Sequence, residues 1–206
     1  MYAHEHYNRA LQLGLPQVTL LPSSQQAKHH YVLAEENAPI VAQFEHLPLP
    51  TESMDLVVVP FVLSQHPKRH AILREIQRVL CGYGQLLVLD LNPYSLWRLQ
   101  AKRLEDLTAC QYHHAIAPKH MSDRLGVLGL NTQSSRFIHY GPLLQQAKTY
   151  PRLDLAGNRW WPHGAAMYAL QAVKQLVYLQ PLHQHHAPVQ TQEENLILNP
   201  VSSRKP

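Results

Sequence analysis

Asp55-Leu-Val-Val-Val-Pro60 is followed by Pro67-Lys-Arg-His-Ala-Ile-Leu-Arg-Glu-Ile-Gln-Arg-Val-Leu80 and then by Gln85-Leu-Leu-Val-Leu-Asp90. The first and last segments are continuous apolar runs. That is the pattern of strands covered on both faces, as in a parallel sheet. Between them, Ile72, Leu73, Ile76, Val79 and Leu80 recur at three- and four-residue spacing and make one apolar helix face. Lys68, Arg69, Arg74, Glu75 and Arg78 take the opposite face, and Gly82 and Gly84 are read as the helix stop. Strand, helix and strand with short joints form a right-handed βαβ crossover, so the chain is an α/β protein.

Outward from this unit the alternation continues. Ala10 to Leu15, His30 to Ala34 and Ile40 to Phe44 are expected strands on the N-terminal side. Beyond Asp90, a helix is expected over Tyr94 to Leu107, a loop over His113 to Pro118, and a helix capped by Ser122 that stops at Gly129. Gln133 to Tyr140 alternates like a strand. Gly141 to Asn158 is loop-rich, and Gly164 to about Tyr178 is read as an apolar helix, or a helix with a strand. The pattern alone therefore yields six strands. Residues 1–183 are expected to form the domain, and 184–206, rich in His, Gln, Pro and Ser, a disordered tail.

Composition narrows the function classes. The 206 residues are 45% hydrophobic, enough for a core. No apolar run is long enough for a membrane helix, and Met1 to Asn8 lack a basic-then-apolar leader pattern, so a cytoplasmic location is expected. The formal charge of +4 is scattered rather than clustered, which disfavours nucleic acid as a partner. Cys81 and Cys110 sit in no metal or redox spacing and are expected as buried free thiols. The 15 histidines include pairs such as His29 with His30 and His113 with His114, but none has a neighbouring ligand set with zinc-like spacing, so no metal is expected. No nucleophile elbow and no phosphate-binding Gly-Lys-Ser loop is present.

Two segments carry a family resemblance. Glu45-His-Leu-Pro-Leu-Pro-Thr-Glu-Ser-Met-Asp55-Leu-Val-Val-Val and Leu73-Arg-Glu-Ile-Gln-Arg-Val-Leu-Cys-Gly-Tyr-Gly84-Gln-Leu-Leu-Val resemble consecutive segments of the type 11 family of class I S-adenosylmethionine-dependent methyltransferases. Leu91-Asn-Pro-Tyr-Ser-Leu-Trp97 and Asn158-Arg-Trp-Trp-Pro162 are similar to segments of a bacterial subgroup of it. The resemblance implies a Rossmann-like fold: a mostly parallel seven-stranded sheet, helices on both faces, and the last strand inserted antiparallel. It also implies a methyltransferase using S-adenosylmethionine on a small-molecule or protein acceptor.

By the same resemblance, the cofactor would lie against Gln12, Gly14, Glu35, Gln43, Phe44, Pro60 and Phe61. Glu35, or the adjacent Glu36, stands where the family places an acid on the ribose hydroxyls. Gln43 and Phe44 stand near the adenine position, and Pro60 and Phe61 follow the fourth strand. The departure is at the first strand, where the family has an acid and three spaced glycines. Here the chain reads Leu11-Gln-Leu-Gly14-Leu-Pro-Gln17. One glycine remains, and Gln12 stands near the acid position. Gly14→Val is accordingly expected to block the cofactor with little loss of stability. The alternative reading is a non-catalytic relative that keeps the fold as an interaction or regulatory module. Asn92-Pro-Tyr94 lacks the second proline of the motif used by enzymes that methylate amino groups of nucleic acid, and follows a different strand from that motif.

Overall fold

The computed structural model describes residues 6–22, 27–95, 115–139 and 164–175. All of them belong to one unit, 1–176. The expected domain end at 183, the tail 184–206, the loop-rich stretch 141–158 and all of the expected helix Tyr94 to Leu107 except its first two residues lie outside the described residues.

The strands are β1 (Tyr7–Leu13), β2 (Ala27–Ala34), β3 (Ile40–Val41), β4 (Met54–Pro60), β5 (Leu80–Leu91), β6 (Leu130–Ile138) and β7 (Met167–Lys174). The described helices are α1 (Val62–Gln65), α2 (Arg69–Val79) and α3 (Pro118–Val127). The strands form one sheet in the order β3-β2-β1-β4-β5-β7-β6. β1 to β5 run parallel, and β7 is antiparallel to both β5 and β6. This is the mostly parallel α/β sheet that the crossover pattern predicts, with the antiparallel insertion that the resemblance implies.

Side chains alternate across the sheet as strand geometry requires. On β4, Val57 and Val59 join one buried cluster, while Leu56 and Val58 join another. The first cluster includes Val62 and Leu63 of α1, Ile72, Leu73, Ile76 and Val79 of α2, and Met121 and Leu125 of α3. The second holds Tyr7, Ala10, Ala27, Leu56, Val58 and Leu87, with Leu20 and Leu21 from the β1–β2 connection packed against it. Among the described residues, no helix contributes to that second cluster.

The structure corrects four sequence expectations. β7 is a strand over Met167–Lys174, where Gly164 to about Tyr178 was read as an apolar helix or a helix with a strand. It is buried between β5 and β6, so apolar residues occupy successive positions and periodicity loses its discriminating power. Gly82 and Gly84 do not stop α2, because Leu80 already adopts extended backbone and β5 begins there. Both glycines lie in an irregular start to β5, where the β4 register shifts between Met54 and Leu56. A Cβ on Gly84 would stand 2.8 Å from Leu80 Cγ and 2.9 Å from the Cys81 carbonyl, so packing rather than helix termination demands glycine there.

α3 begins at Pro118, not at Ser122. Proline suits the first helical turn, where its missing N–H costs no bond. Ser122 lies inside α3 and its hydroxyl donates to Thr132 Oγ1 at 2.9 Å. Cys81 is partly exposed rather than buried. Its thiol donates to the Glu52 carbonyl at 2.9 Å, and burial with the nearby Asp55 and Glu52 raises its pKa.

The polar side of α2 is also less idle than its charge pattern suggests. Arg78 Nη1 donates to the Leu49 carbonyl at 2.9 Å and Nη2 to the Leu47 carbonyl at 3.1 Å. Glu75 pairs with Arg78 at 2.8 Å and accepts from the Leu47 N–H at 3.0 Å. Hydrogen bonding to Arg78 lowers the Glu75 pKa and raises that of Arg78. The pair therefore clamps the Pro48–Pro50 turn that leads into β4.

Three substitutions separate these roles. Ile76→Ala, at a fully buried site, is expected to cost about 2–5 kcal/mol through lost burial and a residual cavity. Arg78→Ala is expected to cost about 1–3 kcal/mol by leaving carbonyls and Glu75 without their donor. Arg74→Ala, exposed on the same helix, should cost under ~0.5 kcal/mol. Urea unfolding of the three variants checks the order, and equal losses would refute the assignment.

Candidate functional site

The C-terminal ends of β1, β2 and β4 come together where the strand order reverses, with β1 between β2 and β4. In an open α/β sheet this is where a crevice forms, because the two connections leave toward opposite sides. A cavity of about 350 Å³ lies there. It is lined by Gly14 and Leu15 after β1, Ala34 and Glu35 at the end of β2, Phe44 after β3, and Pro60, Phe61, Val62, Gln65 and His66 from the end of β4 to the end of α1.

Gly14 forms part of this wall. Its φ is +84°, a left-handed conformation that favours glycine. A Cβ there would approach Val62 Cγ2 to 2.6 Å, with the Pro60 carbonyl at 3.7 Å and Phe44 Cζ at 4.0 Å. The space that glycine leaves open thus belongs to the cavity and to the packing of α1. Gly14→Val would damage the fold as well as the cleft, contrary to the expectation that stability is spared.

Gln12 is fully buried and does not line the cavity. Its Nε2 donates to the carbonyls of Gly14 at 3.1 Å, Leu15 at 3.0 Å and Val18 at 2.8 Å. Its Oε1 accepts from the Leu20 N–H at 2.8 Å. The amide folds the β1–β2 connection around itself. A carboxylate could not do this, since it has no hydrogen to offer a carbonyl at neutral pH. Leu15 holds φ +46° within this fold, unusual for a side-chain-bearing residue.

Of the other residues singled out from the sequence, Glu35, Phe44, Pro60 and Phe61 all meet at the cavity. Phe44 is buried and its ring stands edge-on to His66, with centroids 6.2 Å apart. Phe61 is the N-cap of α1 at φ +56°, and its N–H donates to the Leu89 carbonyl at 2.7 Å. Gln43 and Glu36 are exposed and not among the lining residues. Val62, which follows Pro60 and Phe61 at the cleft end of the strand, does line the cavity. Sequence reasoning missed His66 and Gln65. The available signal was their place shortly after Pro60 and Phe61, on the first turn to follow the most apolar strand.

His66 brings charge together at the rim. Its Nε2 lies 3.5 Å from Glu35 Oε1 and 3.8 Å from Glu45 Oε1, and Lys68 Nζ lies 3.4 Å from Glu45 Oε1. A hydrogen bond from its own backbone N–H lowers the Glu45 pKa against the opposing effect of burial, and Lys68 and His66 lower it further. Glu35, Glu45 and His66 offer ligand atoms within 4.8 Å of one another. The ring is oriented by the Lys68 N–H, which donates to His66 Nδ1 at 3.2 Å. A neutral imidazole whose Nδ1 accepts must carry its hydrogen on Nε2, the atom that faces both carboxylates.

Asp90, at the end of β5, is a further residue that the sequence did not flag. It is fully buried, its Oδ1 accepts from the Leu91 N–H at 2.8 Å, and its Oδ2 has no hydrogen-bond partner among the described residues. Burial raises its pKa to about 6, against the opposing pull of Ser64, the Leu91 N–H and Arg69.

Residues 7–88 match the family model described as a methyltransferase domain. No curated protein matches the sequence. Among solved structures, the chain is similar to a Bacillus subtilis protein, YcgJ, at 16% identity and TM-score 0.56, covering 85% of this chain and 95% of that one. It is similar to an Archaeoglobus fulgidus SAM-dependent methyltransferase at 14% identity and TM-score 0.58, covering 81% and 86%. A third likeness, at 15% identity and TM-score 0.58 with 85% of each chain covered, is to a structure of the Haloferax volcanii methyltransferase activator Trm112 in complex with a methyltransferase. At such identities the structural likeness establishes the fold. No helix among the described residues is long and apolar enough to cross a membrane.

Two measurements test this geometry. Gln12→Glu restores the acid of the family pattern but faces an anion to three carbonyls, and is expected to cost about 3 kcal/mol or more. An unchanged urea midpoint would show that the amide does not hold the loop. For Asp90, the unfolded carboxyl loses its proton near 3.8 and the folded one near 6, so stability falls as pH rises between those values. Asp90→Asn removes this penalty. Its stability relative to the parent should improve by up to about 3 kcal/mol between pH 3.5 and pH 7. A pH-independent difference would contradict the raised value.

Proposed function

We propose that the cleft after β1, β2 and β4 binds S-adenosylmethionine and that the protein transfers its methyl group, a reading supported by the match of residues 7–88 to the methyltransferase domain model and by the likeness of the fold to that of a SAM-dependent methyltransferase. The observation that carries this reading is the convergence of Gly14, Glu35, Phe44, Pro60 and Phe61 on one cavity. Its volume of about 350 Å³ lies in the range of small-ligand sites. The residues suit an adenosyl group. Glu35 offers a carboxylate that can accept from paired hydroxyls. Phe44, Pro60 and Val62 supply apolar surface for a base. The bare Cα of Gly14 leaves room that any side chain would fill.

When bound, the cofactor supplies a methyl group activated on a sulfonium. The protein's share is then mainly positioning and exclusion of water. Leu15 and Phe61 wall the cleft on the β1 and β4 sides. The methyl acceptor is a small molecule or a protein, since the scattered positive charge does not form the footprint of a nucleic-acid site. The locked β1–β2 connection distinguishes this chain from relatives with several glycines there. Its carbonyls are committed to Gln12, and the Gly14 N–H donates to the Leu33 carbonyl at 2.7 Å. Fewer main-chain groups remain to grip the methionine end, so affinity is expected to rest on the adenosine end.

Calorimetric titration of S-adenosylmethionine tests the reading. Binding tighter than roughly 100 μM, about −5.5 kcal/mol, is expected for the parent protein. Glu35→Ala should weaken it by about 1–3 kcal/mol with the fold intact. A well-folded parent that binds nothing would favour the non-catalytic alternative.

A further inference from the structure

We propose that His66 is a positioning residue: it fixes the Glu35 carboxylate for a vicinal diol through the line Lys68–Glu45–His66–Glu35. The inference rests on the reading that the cleft takes an adenosyl group, and it assigns what makes this chain select a ribose there. Glu35 sits on a bend after β2 with its side chain 46% exposed. An exposed glutamate samples many rotamers, and a ligand must pay to order it. His66 is placed on three sides. Its N–H donates to the Val62 carbonyl at 3.0 Å, its Nδ1 accepts from the Lys68 N–H, and its ring meets the edge of Phe44.

The charges in the line complement one another. Two carboxylates approach one imidazole, and the Lys68 ammonium offsets one of them, Glu45. His66 Nε2 can therefore serve the Glu35 carboxylate without leaving Glu45 uncompensated. A carboxylate has two oxygens, so Oε1, which stands 3.5 Å from His66 Nε2, can be steadied by the ring while the other oxygen remains for incoming donors. The same arrangement is poorly suited to a cation. With Nδ1 accepting from the Lys68 N–H, a hydrogen stands on Nε2, the atom that a metal would need, and Lys68 already stands on Glu45.

Calorimetric titration with adenosine, 2′-deoxyadenosine and S-adenosylhomocysteine, in the presence of EDTA, tests the proposal on the parent, His66→Gln and His66→Phe. The parent is expected to prefer adenosine to its 2′-deoxy analogue by about tenfold or more, as a site built to accept from a hydroxyl should. His66→Phe should reduce that preference to about threefold or less, while affinity for 2′-deoxyadenosine stays within about twofold of the parent. His66→Gln retains an N–H donor and should keep most of the preference. Full preference in His66→Phe overturns the proposal. So does an equal loss for both nucleosides, which would mark a structural role, and so does a preference that appears only when a divalent metal replaces EDTA. Binding of S-adenosylhomocysteine with no effect of His66 would leave the cofactor reading standing and this inference refuted. A parent that binds none of the three would refute both.

Discussion

Parallel pairing of β1 with β2 on one side and β4 on the other is the constraint from which the site follows. Residues 9–13 of β1 pair with 29–33 of β2, and residues 10–12 pair with 56–58 of β4. Parallel neighbours point the same way, so Leu13, Ala34 and Pro60 end on one side of the sheet. The connections that leave them diverge because β2 and β4 lie on opposite flanks of β1. A crevice at that edge is a consequence of chain direction rather than of any particular side chain.

The central position of β1 also explains where it departs from the methyltransferase pattern that the sequence resembles. A polar residue at position 12 is buried by its neighbours and must find partners or pay for their loss. An amide can meet carbonyls and an N–H together, and Gln12 does both. The price of that solution is a connection whose main-chain groups face the protein. The cavity is lined instead by residues such as Glu35, Phe44 and His66, which follow β2, β3 and β4. Elsewhere the sheet shows the same economy of polar burial. Lys174 is nearly buried at the other end of the sheet, and its ammonium donates to Leu80 and Gln77 carbonyls and to Glu52.

Much of the fold was legible from local pattern. The β4–α2–β5 unit stands within a few residues of its expected place because an apolar run and a three- and four-residue repeat are local signals. β7 was legible only as one alternative, a strand beside a helix. Its neighbours β5 and β6 cover it on both edges, one face is buried and the other is mostly half-buried, so its composition also suits a buried helix. The start of β5 was misread because Gly82 and Gly84 look like helix terminators, whereas the chain turns extended at Leu80, and Gly84 is required by close contact with Leu80 and the Cys81 carbonyl. At the site, Glu35, Phe44, Pro60 and Phe61 could be chosen because the family resemblance pointed to strand ends that hydrophobic runs make recognisable. For His66 the only local signal was its place shortly after Pro60 and Phe61; its approach to Glu35 and Glu45 depends on the tertiary fold.

The amino-acid sequence by itself determined the α/β class, the βαβ crossover and the family resemblance, because hydrophobic periodicity and short motifs are properties of neighbouring residues. Only the tertiary structure decided that Gln12 faces a loop rather than the cleft. It alone brought Glu35, Glu45, His66 and Lys68 into one line, and it alone decided that Asp90 is buried. Those facts depend on which residues, separated by tens of positions, the sheet brings within a few ångströms, and on the loss of water there. Neither is encoded in any single stretch of chain.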